Sequence, residues 1–136
     1  MIYAVIDTNV LVSALITHNP TSATSKVVRL LFEGKFTPLY DKDVIEEYQE
    51  VLHRPKFKLL PGVADALIAY IMENGIEVSR SAFPIPMPDE DDRVFYEISL
   101  STEDSFLVTG NIKHYPKTPN VVSPTDFLDQ VIGRAY

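Results

Sequence analysis

The sequence contains no cysteine. A disulfide framework and a thiolate zinc site are therefore excluded, and a reducing compartment suits the composition. No apolar run approaches the ~18 residues of a membrane helix. A secretory pattern is missing as well: residues 1–6 are apolar, but Asp7 interrupts them after one strand's length and no basic segment precedes them. These absences lead us to expect a cytoplasmic chain with no membrane partner. Positive charge is scarce too. Lys and Arg number 12 against 19 Asp and Glu, for a net charge of −7. That balance argues against phosphate neutralisation over a broad surface, but it is compatible with an enzyme whose acidic pocket is offset by bound metal. There is no internal repeat and no low-complexity tract.

What is present is 136 residues, 46% of them apolar, enough for one globular domain spanning 1–136 with its own core. Residues 2–6 (IYAVI) are β-rich and nearly all apolar, which suits a strand buried on both faces. Helices are expected over Thr8 to Ile16, over 22–34 with Gly34 as a stop, and from Asp41 as N-cap to about Arg54, where Pro55 ends the helix. Another helix is expected over 63–73, stopped by Asn74-Gly75. Strands are expected at 36–40, 76–78, 105–109 and 121–122. Residues 81–88 (SAFPIPMP) read as an extended connector, 89–101 as a helix, and Ser123-Pro124 as the start of a closing helix to about Ile132. This alternation predicts an α/β fold: a three-layer sandwich with a central, mostly parallel, five-stranded sheet and helices on both faces.

Ligands of open α/β sheets bind beyond the carboxyl ends of the strands. Asp7 stands at such an end, although on its own it needs no more explanation than a helix cap. The segment EEYQEVLHRPKF (46–57) puts three glutamates on one helix. At about 100° per residue, Val44, Ile45, Tyr48, Val51 and Leu52 form an apolar stripe; Glu47 lies about 100° from its centre, and Glu46 and Glu50 about 160°. Glu47 therefore borders the buried face, while the other two face solvent. In PDEDDRVF (88–95) four carboxylates stand in a row. One or two would complement a helix dipole, but four repel each other, which favours cation binding. Helical phase does not separate Asp91 from Asp92. Finally, Thr109, Gly110 and Asn111 leave the end of a buried strand, and Asp104 precedes that strand.

Taken together these stretches resemble one family. VIDTNVLV (5–12) is similar to the opening motif of PIN domains: apolar strand, Asp, Thr or Ser, Asn, apolar helix. EEYQEVLHRPKF resembles the second motif as it occurs in a bacterial and archaeal branch of toxin components, where the catalytic Glu precedes Tyr, which points to Glu47. D-x-x-D-x-x-F across Asp89, Asp92 and Phe95 resembles the third motif, whose second Asp belongs to the metal site, here Asp92. SFLVTGN (105–111) resembles the strand carrying the fourth motif. One departure stands out. Asn111 occupies the position where many members carry an acid, and His114 stands where some have Asp. The fourth ligand is thus Asn111, Asp104 or absent.

The resemblance implies a parallel sheet, often a homodimer, and metal-dependent endoribonuclease activity, commonly as a toxin neutralised by an antitoxin. Chemically, clustered carboxylates need a counter-charge, and hard oxygen donors suit Mg²⁺ or Mn²⁺. Asp7 and Asp92 are expected as principal ligands, and Glu47 as a ligand through water or as the group orienting the nucleophile. Thr8, Asn9 and Thr109 would position them. RNA requires some positive surface. The candidates are Arg54 and Lys56, with His53, Lys58 and the stacking ring of Phe57, or alternatively Lys113 with His114 and Tyr115. The rival reading within the family is a catalytically degenerate domain that binds RNA or protein. A phosphoacceptor receiver is disfavoured, because only Asp7 follows the first strand and FTPLY ends at Tyr40 before Asp41.

Overall fold

Tyr3–Ile6 forms β1, and its last three residues are fully enclosed. It is the middle strand of the sheet. β2 (Thr37–Tyr40), β3 (Ile76–Glu77), β4 (Ser105–Val108) and β5 (Val121–Val122) complete the order β3-β2-β1-β4-β5. All neighbouring pairs are parallel, so the sheet is wholly rather than mostly parallel. The computed structural model describes residues 1–135. The helices are α1 (Thr8–Ile16), α2 (Ala23–Phe32), α3 (Lys42–Leu52), α4 (Val63–Asn74) and α5 (Arg93–Ser99), followed by a C-terminal helical run from Pro124. They cover both faces, giving the three-layer α/β sandwich expected.

Helix ends follow local chemistry. Ser22 caps α2 by accepting from Ser25 N. Gly34 ends it with φ +73°, and the Lys35 N–H bonds Leu30 O while Gly34 N–H bonds Leu31 O, the Schellman arrangement that needs a left-handed residue after the cap. Asp41 caps α3 through Val44 N. The helix expected over 89–101 is shorter. Asp89 Oδ1 accepts from Asp91 N at 3.0 Å, which tightens Glu90–Asp92 into a 3-10 turn before α5 begins. At the other end Ser99 Oγ and Ser101 Oγ donate to Tyr96 O and Ile98 O, side-chain bonds that compete with further helix. The closing helix also departs from expectation. After Pro124–Asp126 it widens into a π-helical stretch, Phe127–Ile132. Phe127 and Ile132, both buried, are five residues apart. In an α-helix they would diverge by about 140°, whereas i→i+5 winding brings them back over one another.

Pro38 lies inside the sheet, an unusual place for a residue without an N–H. It pairs with Ala4, while β3 joins β2 only from Leu39, so its missing donor falls just before that ladder starts. Gly75 sits against it. A Cβ at Gly75 would meet Ile71 O at 2.4 Å and Pro38 O at 2.5 Å, so the end of α4 and the sheet approach as closely as they do because this residue has no side chain. The connector between β3 and α5 is pinned from α5: Arg93 donates to Phe83 O and Ile85 O, and Glu97 Oε2 accepts from Phe83 N.

Candidate active site

The topology singles out one edge. The chain runs from β1 leftward to β2 and later returns to add β4 on the right. The carboxyl ends of β1 and β4 therefore form the switch point at which α/β sheets open a crevice. The register Ile6↔Val108 brings Asp7 and Thr109, the next residues on each strand, level with one another.

Asp7 is buried, at 3% exposure, and its carboxylate is held in place. Thr109 Oγ1 donates to Asp7 Oδ2 at 2.8 Å and the Tyr115 hydroxyl to the same oxygen at 3.0 Å. Among the described residues, Asp7 Oδ1 accepts only from Asn9 N, at 3.3 Å. Asp7 thus caps α1, but two long-range donors also fix its second oxygen, which capping does not require. Burial, followed by the charges of Asp7 and Asp92, pushes the Tyr115 phenol far up, so Tyr115 remains a donor. Thr109, fully enclosed, also accepts from Asn111 N at 3.0 Å.

Glu47 arrives from α3. Tyr48 on that helix donates to Ile6 O at 2.5 Å, fixing the helix rotation against the end of β1. Its phenol is pushed far up, by burial first and then by Asp7. Glu47, half-buried, accepts from Thr8 Oγ1 through Oε2 at 2.8 Å. Glu46 and Glu50 are exposed, as the helical phase predicted.

Asp92 comes from the 3-10 turn. It is partly buried while Asp91 is exposed, which separates the two residues that helical phase left equivalent. Asp92 has its pKa raised to about 6 by burial and then by the charges of Asp7 and Asp89; a contact with His114 partly offsets these. His114 Nδ1 is 3.2 Å from Asp92 Oδ2. Among the described residues, the set of three metal-capable side chains with donor atoms mutually within 4.8 Å is Asp89, Asp92 and His114. Asp7, Glu47 and Asp92 share the edge but are not drawn that close together. Glu47 is tied to the end of β1 through Thr8, the residue after Asp7.

Strand direction takes one expected candidate away from this edge. Asp104 precedes β4, so it stands at the amino edge of the sheet, about five residues or roughly 16 Å from Thr109 along the strand. Its backbone is left-handed, with φ +61°, and it lines a separate cleft with Ser99, Ser105 and Asn120. Asn111 is on the correct edge. Residues 53–58 follow the end of α3, roughly 10 Å further along the helix than Glu47. There Arg54 grips Glu50 through Nε at 3.1 Å and Nη2 at 2.7 Å, Lys56 lies over its neighbour Phe57, and His53 bonds Gln49 O and Asp65. Arg54 also feels the charge of Glu47, although its hydrogen bonds run to Glu50. Lys113 lies beside Tyr115, which bonds Asp7: with Gly110, Asn111, Ile112, Tyr115 and Lys117 it lines a cleft of about 410 Å³.

From the sequence Tyr115 is named only beside Lys113 as a candidate RNA contact, and Asp89 only as part of a motif; neither reads there as a partner of Asp7 or as a ligand. The D-x-x-D spacing carried a signal for Asp89, since residues three apart on a helical turn share a face. Nothing local marks Tyr115, whose bond to Asp7 spans 108 residues.

A PIN domain family model matches residues 3–113, a span that contains all of these edge residues except His114, Tyr115 and Lys117. No curated protein and no solved structure matches the chain.

Proposed function

The chain belongs to the PIN domain family, and from that premise we propose that it is a metal-dependent endoribonuclease hydrolysing RNA phosphodiester bonds. PIN domains are generally nucleases and usually bind divalent metal ions. The observation that carries the reading is Asp92. It stands with Asp89 and His114 in a set whose donor atoms lie mutually within 4.8 Å, and burial, followed by the charges of Asp7 and Asp89, pushes its carboxyl up to about 6. A hard divalent cation, Mg²⁺ or Mn²⁺, fits such a donor set.

In this reading Asp92 and Asp7, the latter through its lightly bonded Oδ1, would hold the cation, which when bound would supply positive charge to a phosphate and acidity to water. Thr109 and Tyr115 hold Asp7 in one orientation. Thr8 occupies Glu47 Oε2, leaving Oε1 to accept a proton from an attacking water. Asn9 contributes its backbone N–H to Asp7. The direct test is incubation of purified protein with single-stranded RNA. Cleavage is expected with Mn²⁺ and none with a chelator; cleavage that ignores the chelator would defeat the mechanism. The toxin role, with an antitoxin partner and a homodimeric assembly, rests on the family resemblance alone. It predicts growth arrest on expression.

RNA must find positive charge on an acidic protein. Arg54 is held by Glu50. Arg80 is shared by Asp41, Asp43 and Glu97, and Arg93 is held by Glu90. Lys113 and Lys117, both exposed beside the cleft at Tyr115, are better placed. Lys113→Ala with Lys117→Ala is expected to weaken RNA binding and flatten its salt dependence by a slope of roughly 0.7 per lost contact. Arg54→Ala with Lys56→Ala should leave that slope nearly unchanged. The reverse pattern would move the RNA path to the far end of α3.

A second reading, a catalytically silent domain that binds RNA or protein, is favoured by Asn111, which stands on the carboxyl edge where the resemblance expects an acid. In that case calorimetry with Mn²⁺ would record no binding.

A further inference from the structure

We infer that His114 is a nitrogen ligand of the metal site, acting with Asp89 and Asp92, and that it turns the site toward borderline ions such as Mn²⁺ or Co²⁺ and away from Mg²⁺. The inference rests on the metal-dependent reading above and specifies its donor set. Among the described residues, Asp89, Asp92 and His114 are the metal-capable set whose donor atoms the fold draws mutually within 4.8 Å. They come from two separate segments: the turn leading into α5, and the 3-10 turn Ile112–His114 beyond β4. Their meeting is therefore a product of tertiary structure and not of a local acidic run.

The spacing matches coordination. Adjacent donors on an octahedral ion with ligands at about 2.1 Å lie about 3.0 Å apart. His114 Nδ1 and Asp92 Oδ2 are 3.2 Å apart. Asp89 uses Oδ1 for its turn and keeps Oδ2 for a ligand. Mg²⁺ favours an all-oxygen shell, whereas an imidazole nitrogen suits borderline transition ions. A histidine at this point therefore changes which ion the site prefers. His114 is 41% exposed on its side chain, so replacing it should spare the core.

The experiment titrates the full chain with Mn²⁺ and Mg²⁺ in the absence of RNA. Affinity is read by calorimetry, and nitrogen coupling to Mn²⁺ by electron spin-echo spectroscopy. The wild type is expected to prefer Mn²⁺ and to show ligand-nitrogen coupling. His114→Ala should abolish that coupling and weaken Mn²⁺ binding about tenfold or more. His114→Asp, which restores an oxygen donor, should bind Mg²⁺ more tightly than the wild type and show no nitrogen signal. Mn²⁺ bound without nitrogen coupling, or coupling that survives in His114→Ala, would overturn the assignment of His114 and leave the metal-dependent reading standing. No Mn²⁺ binding by the wild type would overturn both.

Discussion

Asp7→Asn is expected to lower metal-dependent RNA cleavage by about 10²–10³-fold, corresponding to roughly 3–4 kcal/mol of lost transition-state stabilisation. The substitution keeps the volume of the side chain and a carbonyl oxygen for Thr109 and Tyr115, which both donate to Oδ2. The amide nitrogen must then take the place of Oδ1. There it cannot ligate a cation, and it confronts the Asn9 N–H as one donor against another. That conflict should cost about 1–2 kcal/mol of stability, and far less than it costs activity. Thermal melting and single-turnover cleavage with Mn²⁺, measured on the same preparation, separate the two effects. Cleavage reduced only in proportion to the folded fraction would make Asp7 a helix cap and nothing more.

The parts of this site that were legible in the sequence are those determined by one element at a time. An apolar strand ending in Asp, followed at once by a helix, is enough to put Asp7 at a sheet edge. The stripe Val44, Tyr48, Val51 and Leu52 is enough to turn Glu47 inward, because packing of that stripe sets the helix rotation. The fold class followed from the same kind of signal, strands and helices alternating along the chain. Asp91 and Asp92 stayed equivalent because a regular helix was assumed where Asp89 folds a tighter turn.

What depended on direction and distance was not legible. Asp104 is next to a strand whose far end belongs to the site. A sequence pattern identifies a strand without saying which of its ends faces the ligand, until its neighbours are known to run parallel. Arg54 is close to Glu47 in sequence and does feel its charge, yet its hydrogen bonds go to Glu50, a pairing the sequence left open. Tyr115 reaches Asp7 only because β1 and β4, about a hundred residues apart in the chain, lie side by side. Each of these is a fact of register, and register is set by packing across the whole sheet.

Asp92→Asn should stabilise the metal-free protein above about pH 6 and leave it unchanged below about pH 4. In the folded chain Asp92 has its pKa raised to about 6 from 3.8, chiefly by burial and by Asp7 and Asp89. A carboxyl with a raised folded pKa holds its proton more tightly in the native state, so the wild type loses stability as pH climbs through that interval. Asparagine carries no charge and escapes the loss. The side chain is 19% exposed, so screening reduces the nominal two-unit effect to on the order of 1–2 kcal/mol. Adding Mn²⁺ should reverse the order: ligand binding stabilises the wild type by mass action, while the variant, having lost a ligand, responds weakly and cleaves RNA at least about 10²-fold more slowly. Melting curves at pH 4 and pH 8, each with chelator and with Mn²⁺, supply all four comparisons. A variant no more stable than the wild type at pH 8 with chelator would show that burial and the charges of Asp7 and Asp89 do not burden ionised Asp92. A metal response equal to the wild type's would remove Asp92 from the ligand set.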